Sequence, residues 1–87
     1  MEEYWVYILY SPQFKKSYIG QTNNLDARIE RHNAGQVTST KRYKPWVIIH
    51  TEKFSTRSEA MKKETFLKSG MGREFIKTII KEHQKNG

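Results

Sequence analysis

The hydrophobic and polar positions of this chain fall into blocks with different rhythms. In Tyr4-Trp5-Val6-Tyr7-Ile8-Leu9-Tyr10, aromatic and branched residues occupy both parities. A strand with one wet face alternates, so an unbroken run of this kind predicts a strand covered on both faces, at the centre of a sheet. Ser11-Pro12-Gln13-Phe14-Lys15-Lys16 reads as a turn and residues 17–21 as a second short strand. Their close spacing favours an antiparallel hairpin, since parallel strands need a long crossover.

A helical rhythm follows. Asn23 and Asn24 suit the N-cap, where a side-chain oxygen accepts from the first free N–H groups; Asp26 suits the positive end of the dipole and Gly35 the exit. These signals predict a helix over residues 25–33. Residues 36–45 are polar, basic and turn-rich, and Trp46-Val47-Ile48-Ile49-His50-Thr51 after them predicts a third strand. Thr56-Arg57-Ser58-Glu59 is a capping-box pattern that opens a helix reaching about Lys68. Gly70 and Gly72 are expected to break the chain. From Arg73 onward Phe75, Ile76, Ile79 and Ile80 form one apolar stripe at helical spacing, with residues 84–87 as a frayed tail.

The order strand, strand, helix, strand, helix, helix predicts an α/β (α+β) architecture: a small three-stranded antiparallel sheet flanked by helices, in one domain over residues 1–83. A hydrophobic fraction of 36% with 13% aromatics is enough for a compact core in 87 residues, whereas disorder calls for fewer of both. The absence of cysteine removes disulfides and thiolate-bound zinc as means of stabilisation and suits a reducing cytoplasm. Met1-Glu2-Glu3-Tyr4 lacks the basic start of a signal peptide, and no stretch approaches the roughly 18 apolar residues that suggest a membrane span. The expected location is cytoplasmic, away from membranes.

Charge narrows the partner. Sixteen Lys and Arg against nine Asp and Glu leave +7, a balance suited to a polyanion, with nucleic acid as first candidate and a merely solubilising surface as the alternative. Thr38-Ser39-Thr40-Lys41-Arg42-Tyr43-Lys44 could contact phosphates and offer a stacking surface, Lys41, Arg42, Tyr43 and Lys44 foremost. Lys15, Lys16, Lys62, Lys63 and Lys68 could widen the same footprint.

Candidate chemistry begins with Glu64, which shares a helical stripe with Ala60, Met61 and Leu67 and so faces the protein. A buried carboxylate needs a partner, either a cation or a basic side chain, an Arg28–Glu64 ion pair being one form of the latter. Arg28 and His32 lie four residues apart on the first helix and project from one edge of it. Tyr7 and Tyr18 sit on adjacent strands of the hairpin. A tyrosine, with its ordinary pKa of about 10, acts as a base near neutrality only with help from a cation or an acceptor. His50 and His83 lie outside this set and are expected to have packing or surface roles.

Trp5-Val6-Tyr7 followed by Tyr18-Ile19-Gly20 resembles the paired tripeptides of the GIY-YIG nuclease superfamily. Arg28 ten residues after Tyr18, His32 four later and Glu64 on a following helix fall in the order of the superfamily's arginine, frequent histidine and metal-binding glutamate. The resemblance spans residues 4–68 and is similar to the small stand-alone bacterial members. Trp5 stands where the first motif's name would put Gly, and Gln21 stands where some members carry Lys. The resemblance implies hydrolysis of a phosphodiester in nucleic acid, DNA foremost, with one divalent cation, Mg²⁺ or Mn²⁺, held by Glu64. It also implies catalytic roles for Tyr7, Tyr18, Arg28 and His32. A non-catalytic nucleic-acid-binding module on the same fold is the alternative, and a homodimer or protein partner that supplies specificity stays open.

Overall fold

A computed structural model describes residues 3–86. Strand β1, Tyr4–Ser11, pairs antiparallel with β2, Lys16–Thr22, on one side and with β3, Val47–Phe54, on the other, giving the order β2-β1-β3. The predicted central strand is central, and Val6 to Leu9 on it are fully buried. The hairpin turns through Lys15, whose φ of 54° lies in the left-handed region. β3 runs to Phe54 rather than Thr51, because β1 offers partners as far as Tyr4, which pairs with Phe54.

Alternation along β1 feeds two separate cores. Val6 and Ile8 face helices α2, Arg57–Leu67, and α3, Gly70–Asn86, packing with Ala60, Leu67 and Ile76. Tyr7 and Leu9 face the other way, toward helix α1, Leu25–Asn33, and pack with Trp46, Leu25 and Ile29. The predicted caps form: the Asn24 side chain accepts from the Ala27 N–H, Thr56 accepts from the Glu59 N–H, and Gly35 takes a φ of 77° at the exit of α1.

Gly70 and Gly72 do not break the chain after α2; they open α3. The Arg73 N–H donates to the Ser69 carbonyl at 2.9 Å and the Gly72 N–H to Ser69 Oγ at 3.3 Å, so Ser69 serves as the cap of a helix that begins at once. Gly72 is there for space, since a Cβ on it would run into the backbone of Phe66 and Leu67, where α3 folds back on α2. α3 then continues through residues 84–86, and Gly87 lies outside the described residues. Among the described residues no helix is long and apolar enough to cross a membrane.

Candidate active site

Four of the five residues singled out from the sequence meet in the layer between β1, β2 and α1. The Tyr7 hydroxyl lies 3.0 Å from His32 Nε2, and Arg28 Nε donates to the same hydroxyl at 3.4 Å. Tyr18 leans over the pair, its ring centroid 4.9 Å from that of His32 and 6.3 Å from that of Tyr7. Each comes from a local feature. β1 delivers Tyr7 on the α1 side, β2 delivers Tyr18 diagonally across the ladder, and one turn of α1 separates Arg28 from His32.

Gly20 sits opposite Tyr7 in the ladder, and a Cβ there would overlap the Tyr7 hydroxyl. The glycine of the second tripeptide therefore provides the space in which the first tripeptide's tyrosine rests. Tyr7 and His32 are both fully buried. Burial pushes the Tyr7 proton affinity up, against the Arg28 hydrogen bond that lowers it, and the neighbouring Tyr18 and Glu64 raise it further. Burial, with Arg28 and Arg31 nearby, pulls His32 down to about 4, so the imidazole is neutral at pH 7. The bond to Tyr7 is the main reason Arg28 holds its proton more tightly than usual.

Glu64 reaches the site from the opposite layer. β2 supplies Tyr18 to the α1 side and, by strand alternation, Gln21 to the α2 side, where Gln21 Nε2 donates to Glu64 Oε1 at 2.9 Å. Lys68, one turn along α2, donates to Glu64 Oε2 at 2.9 Å. Glu64 thus bonds to Gln21 and Lys68 while Arg28 bonds to Tyr7, an arrangement other than the Arg28–Glu64 pair that the sequence left open. Gln21 Oε1, the other atom of the amide whose nitrogen meets the carboxylate, is buried and has no hydrogen-bond partner among the described residues.

Among the described residues no three His, Cys, Asp or Glu side chains come together to cage a metal. The Glu64 carboxylate, with the unpartnered Gln21 amide oxygen on the residue it bonds to, fits a hard cation that would keep most of its water, since a single protein carboxylate leaves the other positions to water. Lys68, which also holds that carboxylate, is 58% exposed at its side chain, so the pair is solvent-screened and weak.

The basic residues divide into two groups. Lys16 and Arg42 flank the Tyr43 ring at 5.7 and 5.9 Å, and half-exposed Phe14 packs against the same ring at 5.5 Å, making one cationic and aromatic patch at the hairpin end. Lys15 lies in the turn beside it, and Lys41 opens the 3₁₀ turn that carries Tyr43. Lys44 folds over Gly35 at the carboxyl end of α1, where a cation complements the dipole. Lys63 is engaged with Glu52 at 3.2 Å and Lys68 with Glu64, whereas Lys62 lies beside Arg57 and Met61 on the outer face of α2. His50 pairs with Glu52 and packs on Phe75, and His83 packs on Tyr10, in keeping with structural roles.

Two residues at this site were not assigned to it from the sequence. Gln21 carried a usable signal, since it adjoins the second tripeptide. Thr40, expected among the phosphate-contacting residues 38–44, is instead 1% exposed, and its Oγ1 lies 2.8 Å from His32 Nδ1. No local pattern marks it, because its burial depends on Trp46, which bonds to the Thr40 carbonyl through Nε1 and to the Asn33 side chain through its backbone.

The model of the GIY-YIG catalytic domain matches residues 3–77. A UPF0213 protein of Staphylococcus haemolyticus is 38% identical over 80 residues, covering 91% of this chain and 96% of that protein. A UPF0213 protein of Oceanobacillus iheyensis is 33% identical over 85 residues, covering 97% and 98%. The solution NMR structure of a UPF0213 protein from Bacillus halodurans superposes with a TM-score of 0.54 at 29% identity, covering 88% of this chain and 84% of that one.

Proposed function

Because this chain belongs to the GIY-YIG family of catalytic domains, we propose that it is a divalent-cation-dependent endonuclease that hydrolyses phosphodiester bonds in nucleic acid, DNA foremost. The observation that carries the reading is the hydrogen-bonded chain Arg28–Tyr7–His32 on one side of β2 with the Glu64 carboxylate, bonded to Gln21, on the other. A Mg²⁺ or Mn²⁺ ion held by Glu64 would supply Lewis-acid stabilisation of the scissile phosphate and the leaving oxygen.

The protein's own groups do the rest. Arg28 neutralises charge that develops on the phosphoryl oxygens. Tyr7 takes the proton of the attacking water as its own hydroxyl proton passes to His32 Nε2. In the resting arrangement that proton belongs on Tyr7, since burial raises Tyr7 and depresses His32. When a phosphate draws Arg28 away from Tyr7, it neutralises one of the charges that depress His32, and Nε2 becomes a better acceptor. Tyr18 orients the phosphate beside this pair. The patch of Lys16, Arg42 and Tyr43, with Lys15, Lys41 and Lys44 around it, supports a backbone footprint that positions the substrate without reading sequence. We place the protein in the cytoplasm, as one domain.

The test is cleavage of labelled duplex, branched and single-stranded DNAs and RNAs with and without Mg²⁺ or Mn²⁺. Glu64→Ala and Arg28→Ala should each lose more than about a hundredfold in rate, the typical contribution of one electrostatic group, and Tyr7→Phe should be similarly impaired. Full activity in Glu64→Ala sinks the assignment. Binding without cleavage across the panel would favour the non-catalytic module.

A further inference from the structure

The loop between α1 and β3 places one threonine in the interior. Thr40 Oγ1 lies 2.8 Å from His32 Nδ1 and 3.4 Å from the Val37 carbonyl, while His32 Nε2 lies 3.0 Å from the Tyr7 hydroxyl. Tyr7 and His32 are fully buried and Thr40 nearly so, so each of their protons needs an acceptor within the protein.

Only one direction along this chain gives every proton an acceptor. If Thr40 donated to Nδ1, the imidazole proton would sit on Nε2 and point at the Tyr7 oxygen, which already accepts from Arg28. The buried Tyr7 hydroxyl proton would then have no acceptor among the described residues. In the opposite direction Arg28 donates to Tyr7, Tyr7 to Nε2, Nδ1–H to Thr40, and Thr40 to the Val37 carbonyl. A free histidine side chain prefers its proton on Nε2, so the Nδ1–H form has to be imposed by the partner of Nδ1.

We infer that Thr40 is a positioning residue that locks His32 in the Nδ1–H tautomer and so leaves Nε2 open to the proton of Tyr7. The catalytic meaning of this lock rests on the nuclease reading above; the tautomer itself does not. Trp46 and Asn33 hold the lock in place, since the Trp46 indole bonds to the Thr40 carbonyl at 3.0 Å and Asn33 brackets the Trp46 backbone from α1.

The test reads ring ¹⁵N resonances of His32 in the full chain near pH 7, assigned against His50 and His83 by single substitution. The expected spectrum has a protonated Nδ1 and an unprotonated Nε2. Thr40→Val, which keeps the shape and removes the acceptor, should move His32 toward the Nε2–H form, and Thr40→Ser should restore Nδ1–H. Wild-type His32 in the Nε2–H form overturns the inference, even if Thr40→Val fails to fold, and so does a Thr40→Val spectrum identical to wild type. In the cleavage assay Thr40→Val should lower kcat about 10- to 100-fold at unchanged KM, the usual scale for an outer partner that orients a histidine, with Thr40→Ser recovering most of it. A lowered kcat that Thr40→Ser does not recover counts against the lock. A wild type that cleaves nothing removes the nuclease reading while the ring spectra still decide the tautomer.

Discussion

The hydroxyl of Tyr7 occupies the space that a side chain on Gly20 would fill. The two residues face each other in the β1–β2 ladder, and a Cβ at position 20 would overlap the hydroxyl and lie 2.6 Å from the ring carbon that bears it. The glycine is thus required for room at a non-positive φ, and its absence would push Tyr7 off His32.

Gly20→Ala should therefore damage the site more than the fold. We expect a loss of about 1–3 kcal/mol from overpacking, together with displaced His32 ring resonances, measured by denaturant unfolding and by NMR. Unchanged stability and unchanged resonances would mean that the Tyr7 ring has somewhere else to go.

Stability should depend on pH through His32. Its folded pKa is lowered to about 4 from the ordinary 6.5, so between these values the unfolded chain binds a proton that the folded one refuses. Stability from this group is fully present above about pH 6.5 and is lost as pH falls toward 4, by about 3 kcal/mol in all. Urea midpoints of wild type and His32→Gln across pH 4 to 7 check this. The variant should show a flatter profile in that window, and parallel profiles would contradict the assignment.

The two glycines at the start of α3 should respond differently to alanine. Gly72→Ala drives a methyl group into the backbone of Phe66 and Leu67 and should cost about 1–3 kcal/mol. Gly70→Ala meets nothing within 4 Å and should be neutral or stabilising by up to about 1 kcal/mol from helix propensity. Thermal unfolding of the two variants decides it, and equal effects would refute the distinction.

If the patch at the hairpin end carries nucleic acid, Lys16→Ala and Arg42→Ala should weaken binding across all sequences. Each should lower the slope of log affinity against log salt by about 0.9 for a duplex. A slope that does not change in either variant would locate the footprint elsewhere.

Much of this protein was legible in the sequence, because the signals were local. The unbroken apolar run from Tyr4 to Tyr10 determined a doubly covered strand, and the caps at Asn24 and Thr56 fixed where α1 and α2 begin. Helical spacing put Arg28 and His32 on one edge of α1 and turned Glu64 toward the protein, and each of these depends on residues within one turn of the other. The glycines at 70 and 72 read as breakers because glycine usually is one; the close return of α3 on Leu67 gave them another use.

Tertiary structure alone decided the partners. Glu64 found Gln21, 43 residues away, because α2 packs on the face of β2 opposite the one carrying Tyr18, and that choice of layer has no local mark. Thr40 left the loop for the interior because Trp46 and Asn33 pull residues 40–46 onto α1. The sequence supplied the groups and the faces on which they stand; which proton each holds follows from burial and from bonds between segments far apart in the chain.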